Sequence, residues 1–476
     1  MPAGVSYEYD AVVVGSGPNG LSAAIVLQQA GLSVLLLEAM ESIGGGLRTK
    51  ELTLPGFLHD VCSAIHPLAV ASPFFSGLPL RLHGLEYVYP EISAAHPFDD
   101  GSAAVLKGSV IETAEALGND SEAYTKLLAP LVKNWPHLAK DILGPLSFPA
   151  HPIDMASFGI NALRSAVSLS DKFKTKEARG LWAGMTAHSL QPLSNLATSA
   201  IGLVLLTTGH LKGWPVAKGG SAEIANALAS YFVSIGGKVQ TGILVRSMKD
   251  IPSARAILFD LTPKQIMEIA GGRLSWLYKK QLRHYRYGMG AFKIDWALAG
   301  QIPFTSDSCR RAGTVHLGNT LEEITLNEGL TSKGRHVEKP FVLLAQQSLF
   351  DRTRAPEGKQ TAWAYCHVPN GSEANMTKAI ELQVERFAPG FRDLILAKHT
   401  MNTRELQTYN PNYIGGDISG GAIDLCQMFA RPALRPSPYR TSASGLYICS
   451  SSTPPGGGVH GMCGYHSAKR VLSDLF

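Results

Sequence analysis

The segment that most constrains this chain is Tyr9-Asp-Ala-Val-Val-Val-Gly15-Ser-Gly17-Pro-Asn-Gly20, near its start. Ala11–Val14 reads as a buried parallel strand, being short, continuous and apolar. Asn19–Ala30 then places Leu21, Ala24, Ile25, Leu27 and Ala30 largely on one side of a helix. Gly31 is placed to end that helix, and Val34–Leu37 supplies the next strand. In such a βαβ unit Gly15 permits the sharp exit from the strand. Gly17 removes the side chain that would block a pyrophosphate, and Gly20 lets helix and sheet approach closely. The helix start, with Pro18 and Asn19, offers amide N–H groups and a partial positive charge to phosphates. Glu38 ends the second strand, where a carboxylate can accept both ribose hydroxyls of an adenosine and repel a 2′-phosphate.

A second glycine turn, Gly44-Gly-Gly-Leu-Arg48, follows at once. Gly45 and Gly46 admit a backbone close to a ligand, and Arg48 adds charge-assisted hydrogen bonds. Further wrapping of this kind suits FAD, whereas an NAD dehydrogenase has little need of it. The far end agrees. Leu446–Cys449 reads as a late strand, Ser451 follows, and Pro454-Pro-Gly-Gly-Gly-Val-His-Gly461 leads into a terminal helix, Met462–Leu475. Gly457, Gly458 and Val459 there offer backbone donors to the negative charge that develops near flavin N1 and O2. Val245 sits where the cofactor domain resumes, beside the adenine.

At 476 residues, two domains are the default. A formal charge of +5, scattered without a basic stripe, argues against nucleic acid as a partner. The six cysteines form no CxxC pair or metal knuckle and read as reduced, mostly buried thiols, so no metal is expected. The start lacks a secretory pattern. The longest apolar run, Leu196–Leu206, is too short for a bilayer span. The expected location is cytoplasmic, with peripheral membrane contact suggested by the apolar 105–215 region and by Pro73-Phe-Phe75.

Residues 105–215 read as helices broken at Pro130, Pro136, Pro145, Pro149 and Pro152, a profile suited to a lid over an oily substrate. Residues 216–246 read as turn, helix and short strands, with Ser221 as a helix cap. Ala256–Asp260 reads as a strand before a helix starting at Pro263. Residues 281–370 read as a mixed or antiparallel sheet, whose alternation puts Trp363, Tyr365 and His367 on one face.

These motifs, with Lys218-Gly-Gly-Ser-Ala-Glu223, resemble the phytoene desaturase-like FAD-dependent oxidoreductases. Tyr365-Cys-His-Val-Pro-Asn370, Asn410–Asp417 and Pro454–Tyr465 are most similar to the carotenoid ketolase-type and pyridine nucleotide-disulfide oxidoreductase domain-containing protein 2-like branch. The resemblance covers nearly the whole chain. It implies an α/β fold: a GR2-type Rossmann-like FAD-binding domain with an inserted α+β substrate domain. The segments expected are 1–104, 216–280 and 426–476 for the FAD-binding domain, 105–215 for a mostly helical lid and 281–425 for the mixed-sheet substrate domain. The disulfide chemistry in the branch name does not carry over, because the redox CxxC pair is missing.

The reaction expected is oxidation of a hydrophobic, polyene- or lipid-like substrate by hydride transfer to flavin N5. Oxygen or a quinone-like molecule would be the electron acceptor, since no second GxGxxG for NADPH is evident. His66 is a candidate acid/base group, and Tyr287, Trp363, Tyr365, His367 and His460 are candidates to face the flavin. Each is weighed against ordinary core packing. A flavin-dependent amine or small-molecule oxidase, anchoring substrate through Arg283 or Arg286, is the first alternative. A non-catalytic FAD-stabilised interaction protein is the second. Apolar patches also admit a homodimer.

Overall fold

A computed structural model describes residues 7–476. Its first layer is a five-stranded parallel sheet ordered Leu446–Ile448, Ala254–Phe259, Tyr9–Val14, Val34–Leu37, Lys238–Gln240. Ala11 stands opposite Val34 on one side and Ala256 on the other. Both faces are covered, which is why these strands are apolar throughout. Ala11 and Val13 face the helices Pro18–Gln29, Ala222–Ser234 and Met462–Leu475, whereas Val12 and Val14 face Ile266, Ala270, Tyr278 and Leu282. The terminal helix lies so close to the first that a Cβ on Gly464 would come within 1.8 Å of the Asn19 carbonyl oxygen. Only glycine fits there, and the contact ties the end of the chain to its beginning.

The second layer is a seven-stranded sheet ordered Ile395–Met401, Gly290–Leu298, Gln360–Val368, Val342–Ala345, Ala312–Leu317, Ile92–Pro97, Ala103–Leu106. Every pair is antiparallel except Ile92–Pro97 with Ala312–Leu317. Along Gln360–Val368 the expected alternation holds. Trp363 and Tyr365 join the core beneath the helical layer, while Ala362, Ala364, Cys366 and Val368 pack on the other face against Ile380, Val384 and Phe387. The helices Ser121–Ile142, Pro152–Ala162, Lys176–Ala187 and Thr198–Lys212 roof the first of those faces. The architecture is therefore a Rossmann-like nucleotide-binding domain with an inserted α+β domain, as the motifs imply.

Four local expectations need correction. Pro130 and Pro136 do not break a helix: both lie within Ser121–Ile142. Both are exposed, so the carbonyls they free reach water, while Leu127, Leu128, Leu131, Trp135 and Leu138 bury the opposite side. Ser221 precedes its helix without capping it, because its hydroxyl is donated to the Ser63 carbonyl and meets His66. The region 281–370 also holds two helices, Asp307–Arg311 and Leu321–Ser332. Ala103–Leu106 spans residue 104, where the first segment was expected to end, and pairs within the substrate sheet.

The layers are stitched by buried charge. Arg354 Nη2 donates to Asp60 Oδ2 at 3.0 Å and its Nε to Asp351 Oδ2 at 2.8 Å. Asp60 also accepts from Ser221 N at 2.7 Å, and Asp351 from Gly219 N at 2.9 Å. No described helix is long and apolar enough to cross a membrane. All six cysteines are free thiols, four of them buried.

Candidate active site

One continuous cavity of about 810 Å³ runs from the carboxyl ends of the parallel strands into the space between the second sheet and the helices. Open α/β sheets place ligands at that edge. At the nucleotide end, Gly15 leaves its strand at φ 103°, and the helix beginning at Pro18 has glycine, Gly17, as its N-cap and so no capping side chain there. A Cβ on Gly20 would come within 2.0 Å of the Gly15 carbonyl oxygen, so the turn closes only around glycine.

Glu38 knots three segments together. Its Oε2 accepts from Ser16 N at 3.0 Å and Ser16 Oγ at 2.5 Å, and its Oε1 from Met40 N at 2.9 Å and Arg48 Nη2 at 3.1 Å. Arg48 thus braces the carboxylate, with its guanidinium 5.4 Å from the centre of the Tyr409 ring. Asp260, at the end of the Ala254–Phe259 strand, accepts from Gly20 N at 3.0 Å. Burial pushes its carboxyl up to about 7; the Gly20 and Gly17 amides oppose that shift and nearby Glu38 adds to it.

The C-terminal segment closes the cleft. Arg431 donates to the Ser451 carbonyl through Nε at 3.1 Å and Nη2 at 2.8 Å, holding that loop against the Ser419 carbonyl at 3.3 Å. Asn19 Nδ2 reaches Ser451 Oγ at 3.3 Å, and its Oδ1 is buried without a partner. Beyond this the cavity becomes an apolar chamber. Its floor is Leu343, Trp363 and Tyr365, and its walls include Phe158, Val204 and Leu205.

The sequence-derived cofactor residues converge here. Gly15, Gly17, Pro18, Asn19, Glu38, Gly45, Gly46, Arg48, Val245, Ser451, Gly457, Gly458 and Val459 all line the cavity, and Gly20 stands just behind it. Of the proposed catalytic group, His66, Trp363, Tyr365 and His460 lie on the wall. His66 Nε2 meets Ser221 Oγ at 3.0 Å, and burial pushes His66 down to about 4. His460 Nδ1 accepts from Met462 N at 3.0 Å, and burial likewise lowers it to about 4. Tyr287 and His367 are off the wall. Tyr287 packs edge-on against Tyr285, while His367 Nδ1 lies 2.6 Å from Glu328 Oε2. Arg286 is paired with Asp424 at 2.7 Å away from the cavity, and Arg283 does not line it either. Asp260, Arg431 and His188 also line the cavity, although the motifs did not single them out. Asp260 had a signal, standing at a strand's carboxyl end as Glu38 does; Arg431 had none.

The residues fit a dinucleotide: a glycine cradle that a Cβ would fill, a helix start without an N-cap side chain, an orphaned Asn19 oxygen and a carboxylate at the second strand. Residues 13–75 match the family model of an NAD(P)-binding Rossmann-like domain. Over its length the chain is 26% identical to the mouse pyridine nucleotide-disulfide oxidoreductase domain-containing protein 2, covering 98% of this chain and 94% of that one. It is 21% identical to a limonene dehydrogenase polypeptide of Castellaniella defragrans, covering 98% and 95%. Among solved structures, putrescine oxidase bound to putrescine superposes with a TM-score of 0.63 at 16% identity, covering 98% of this chain and 99% of that one. Cyclohexylamine oxidase from Brevibacterium oxydans gives 0.60 at 15%, with the same coverage. The class is thereby defined: a nucleotide-dependent oxidoreductase of GR2-type architecture, related to pyridine nucleotide-disulfide oxidoreductase-like proteins.

Proposed function

We propose that the chain binds FAD and oxidises a small molecule that is apolar over most of its surface. The observation that carries this reading is the single cavity joining the glycine cradle to the apolar chamber. FAD, when bound, supplies a two-electron acceptor that takes hydride at N5. The protein's part is binding and exclusion. The first helix and the Gly457–Val459 backbone hold the anionic parts of the cofactor, Glu38 faces the adenosine half, and the chamber walls keep water from the reacting carbon. His66 and His460, both neutral and both engaged, support the site by hydrogen bonding.

The substrate class follows the amine and small-molecule reading more than the polyene one. The structural neighbours named above are amine oxidases, and Asp141 places a buried, unpartnered carboxylate oxygen on the cavity wall. A carbon bonded to nitrogen is the favoured site of oxidation, and oxygen or a quinone-like molecule reoxidises the flavin. The carotenoid side of the resemblance stands as the lesser form. Peripheral membrane contact belongs to the proposal as well, through the exposed Leu146, Phe148, Ile153 and Ile160 beside the chamber.

The first test is the visible spectrum of freshly purified protein, with identification of the cofactor released on denaturation. The expected result is FAD that is bleached anaerobically by an alicyclic amine. Protein that purifies without flavin and takes up none when FAD is added overturns the proposal.

A further inference from the structure

The chamber wall carries a histidine pair that the proposed function leaves unused. His188 lines the cavity, and His316 stands behind it on the Ala312–Leu317 strand. Their Nε2 atoms are 3.0 Å apart, so one carries a hydrogen and the other a lone pair. Both rings are neutral. Burial pushes His188 down to about 3 and His316 well below its ordinary value, with His367 opposing charge on the first and His188 and His96 on the second.

The far edge of His316 decides which nitrogen donates. Its Nδ1 is buried without a partner and faces Gly184, where even a Cβ would come within 2.7 Å. A hydrogen there would be a sealed, unpaired N–H, which folded proteins rarely tolerate; a bare lone pair is the milder defect. His316 is therefore the Nε2–H tautomer and donates to His188 Nε2. His188 must then carry its own hydrogen on Nδ1. That nitrogen has no partner among the described residues and is not among the atoms sealed from the cavity. Trp214, edge-on to His188 at 6.3 Å, also lines the cavity, and its indole N–H is already given to Thr314 Oγ1 at 3.0 Å.

We propose that His188 Nδ1–H is a fixed hydrogen-bond donor of the chamber, oriented by His316, and that it binds the substrate through an uncharged acceptor. A carbonyl or hydroxyl oxygen or a free-base nitrogen satisfies it; a pure hydrocarbon does not. The inference rests on the chamber being the substrate site, as proposed above. His188 is the binding residue, and His316 acts through it as a positioning residue.

Calorimetric titration of the FAD-loaded protein with cyclohexanone and with methylenecyclohexane isolates this bond, since the two ligands share a shape and differ in the acceptor. In His188→Leu the affinity ratio of ketone to alkene falls by roughly three- to tenfold, the usual worth of one neutral hydrogen bond. His188→Asn, whose amide N–H reaches the Nδ1 position, restores the ratio. A ratio unchanged in His188→Leu, with both ligands still binding, overturns this inference and leaves the function standing. Failure of both ligands to bind the unsubstituted protein, or binding of the alkene as tight as that of the ketone, overturns this inference, and the first of these overturns the chamber reading with it. Histidine-selective ¹⁵N NMR reads the tautomers without any ligand: Nδ1–H on His188 and Nε2–H on His316 are expected, and Nε2–H on His188 refutes the proposal.

Discussion

Asp260 is expected to set a pH limit on binding of the proposed cofactor. Its carboxyl touches the Gly20 amide at the turn where a pyrophosphate would lie, and burial raises it to about 7. Ionised, it sets a negative charge against the phosphates and keeps an amide they could use; neutral, it can donate to them. The groups around it are Glu38, paired with Arg48, and the thiols of Cys449 and Cys463, both pushed up by burial and therefore neutral across the range tested. Because the carboxyl is raised, the favourable state lies below about pH 7 and is lost as the pH climbs through it. If only the neutral form admits the cofactor, the binding constant falls about 90-fold between pH 6 and pH 9, or roughly 2.7 kcal/mol. Fluorescence quenching of FAD titrated into apoprotein measures this directly. Asp260→Asn should match the parent near pH 6 and show no decline toward pH 9. The apoprotein supplies a second readout. Ionising a carboxyl raised from 3.8 to about 7 costs on the order of 4 kcal/mol of stability by pH 8, so the Asn variant should melt higher there and not at pH 4. A parent protein whose FAD affinity is flat across the range, or an Asn variant that keeps the slope, refutes the reasoning.

Two further outcomes are expected. Arg354→Met leaves Asp60 and Asp351 buried without their cation, and denaturant unfolding should register a loss of about 3–5 kcal/mol; a loss below about 1 kcal/mol would show that water or a rearranged partner satisfies both carboxylates. Vesicle flotation should carry the protein with lipid, and a Phe148→Ser, Ile153→Ser double variant should stay behind, since those side chains are 87% and 86% exposed; recovery of the parent wholly in the soluble fraction, across neutral and anionic lipids, removes the membrane claim.

The two ends of the chain were legible because their signals are local. A strand, a glycine turn and a helix within Tyr9–Gln29 specify one another by spacing, and Gly457–His460 directly precede the helix they lead into. The substrate sheet was only half legible. Both strands are buried almost throughout; Gln360–Val368 is still readable because large Trp363, Tyr365 and His367 alternate with small residues, whereas Ile92–Pro97 shows no such alternation. Its partner, Ala312–Leu317, lies far downstream, so no local pattern points to the pairing. Prolines misled for a physical reason: their cost depends on whether the freed carbonyl meets water, which sequence alone does not reveal. Arg431 and the His188–His316 pair were invisible because each matters only through what tertiary folding brings beside it.

That difference bears on how the site is assembled. The nucleotide cradle draws on the Gly15–Gly20 turn, the Glu38–Arg48 loop, Asp260 and the Ser451–Val459 segment, with much of the substrate domain lying between them in the chain. Such a cleft is complete only with the C-terminal helix packed against the Asn19 backbone. The Arg354 cluster then holds the two layers together with fully buried ion pairs, in which Arg354 and Asp351 of the substrate domain meet Asp60 of the first segment. A cofactor spanning this cleft would bind all of those segments at once, so its binding energy adds to the stability of the joined domains and not to one of them alone. The chamber beside it inherits that rigidity: Trp363 and Tyr365 stand on a strand paired along its whole length, and His188 is held by a neighbouring strand through His316. Substrate placement in the proposed chamber thus draws on both layers, with Trp363 and Tyr365 on the sheet and His188 at the end of the roof helix Lys176–Ala187.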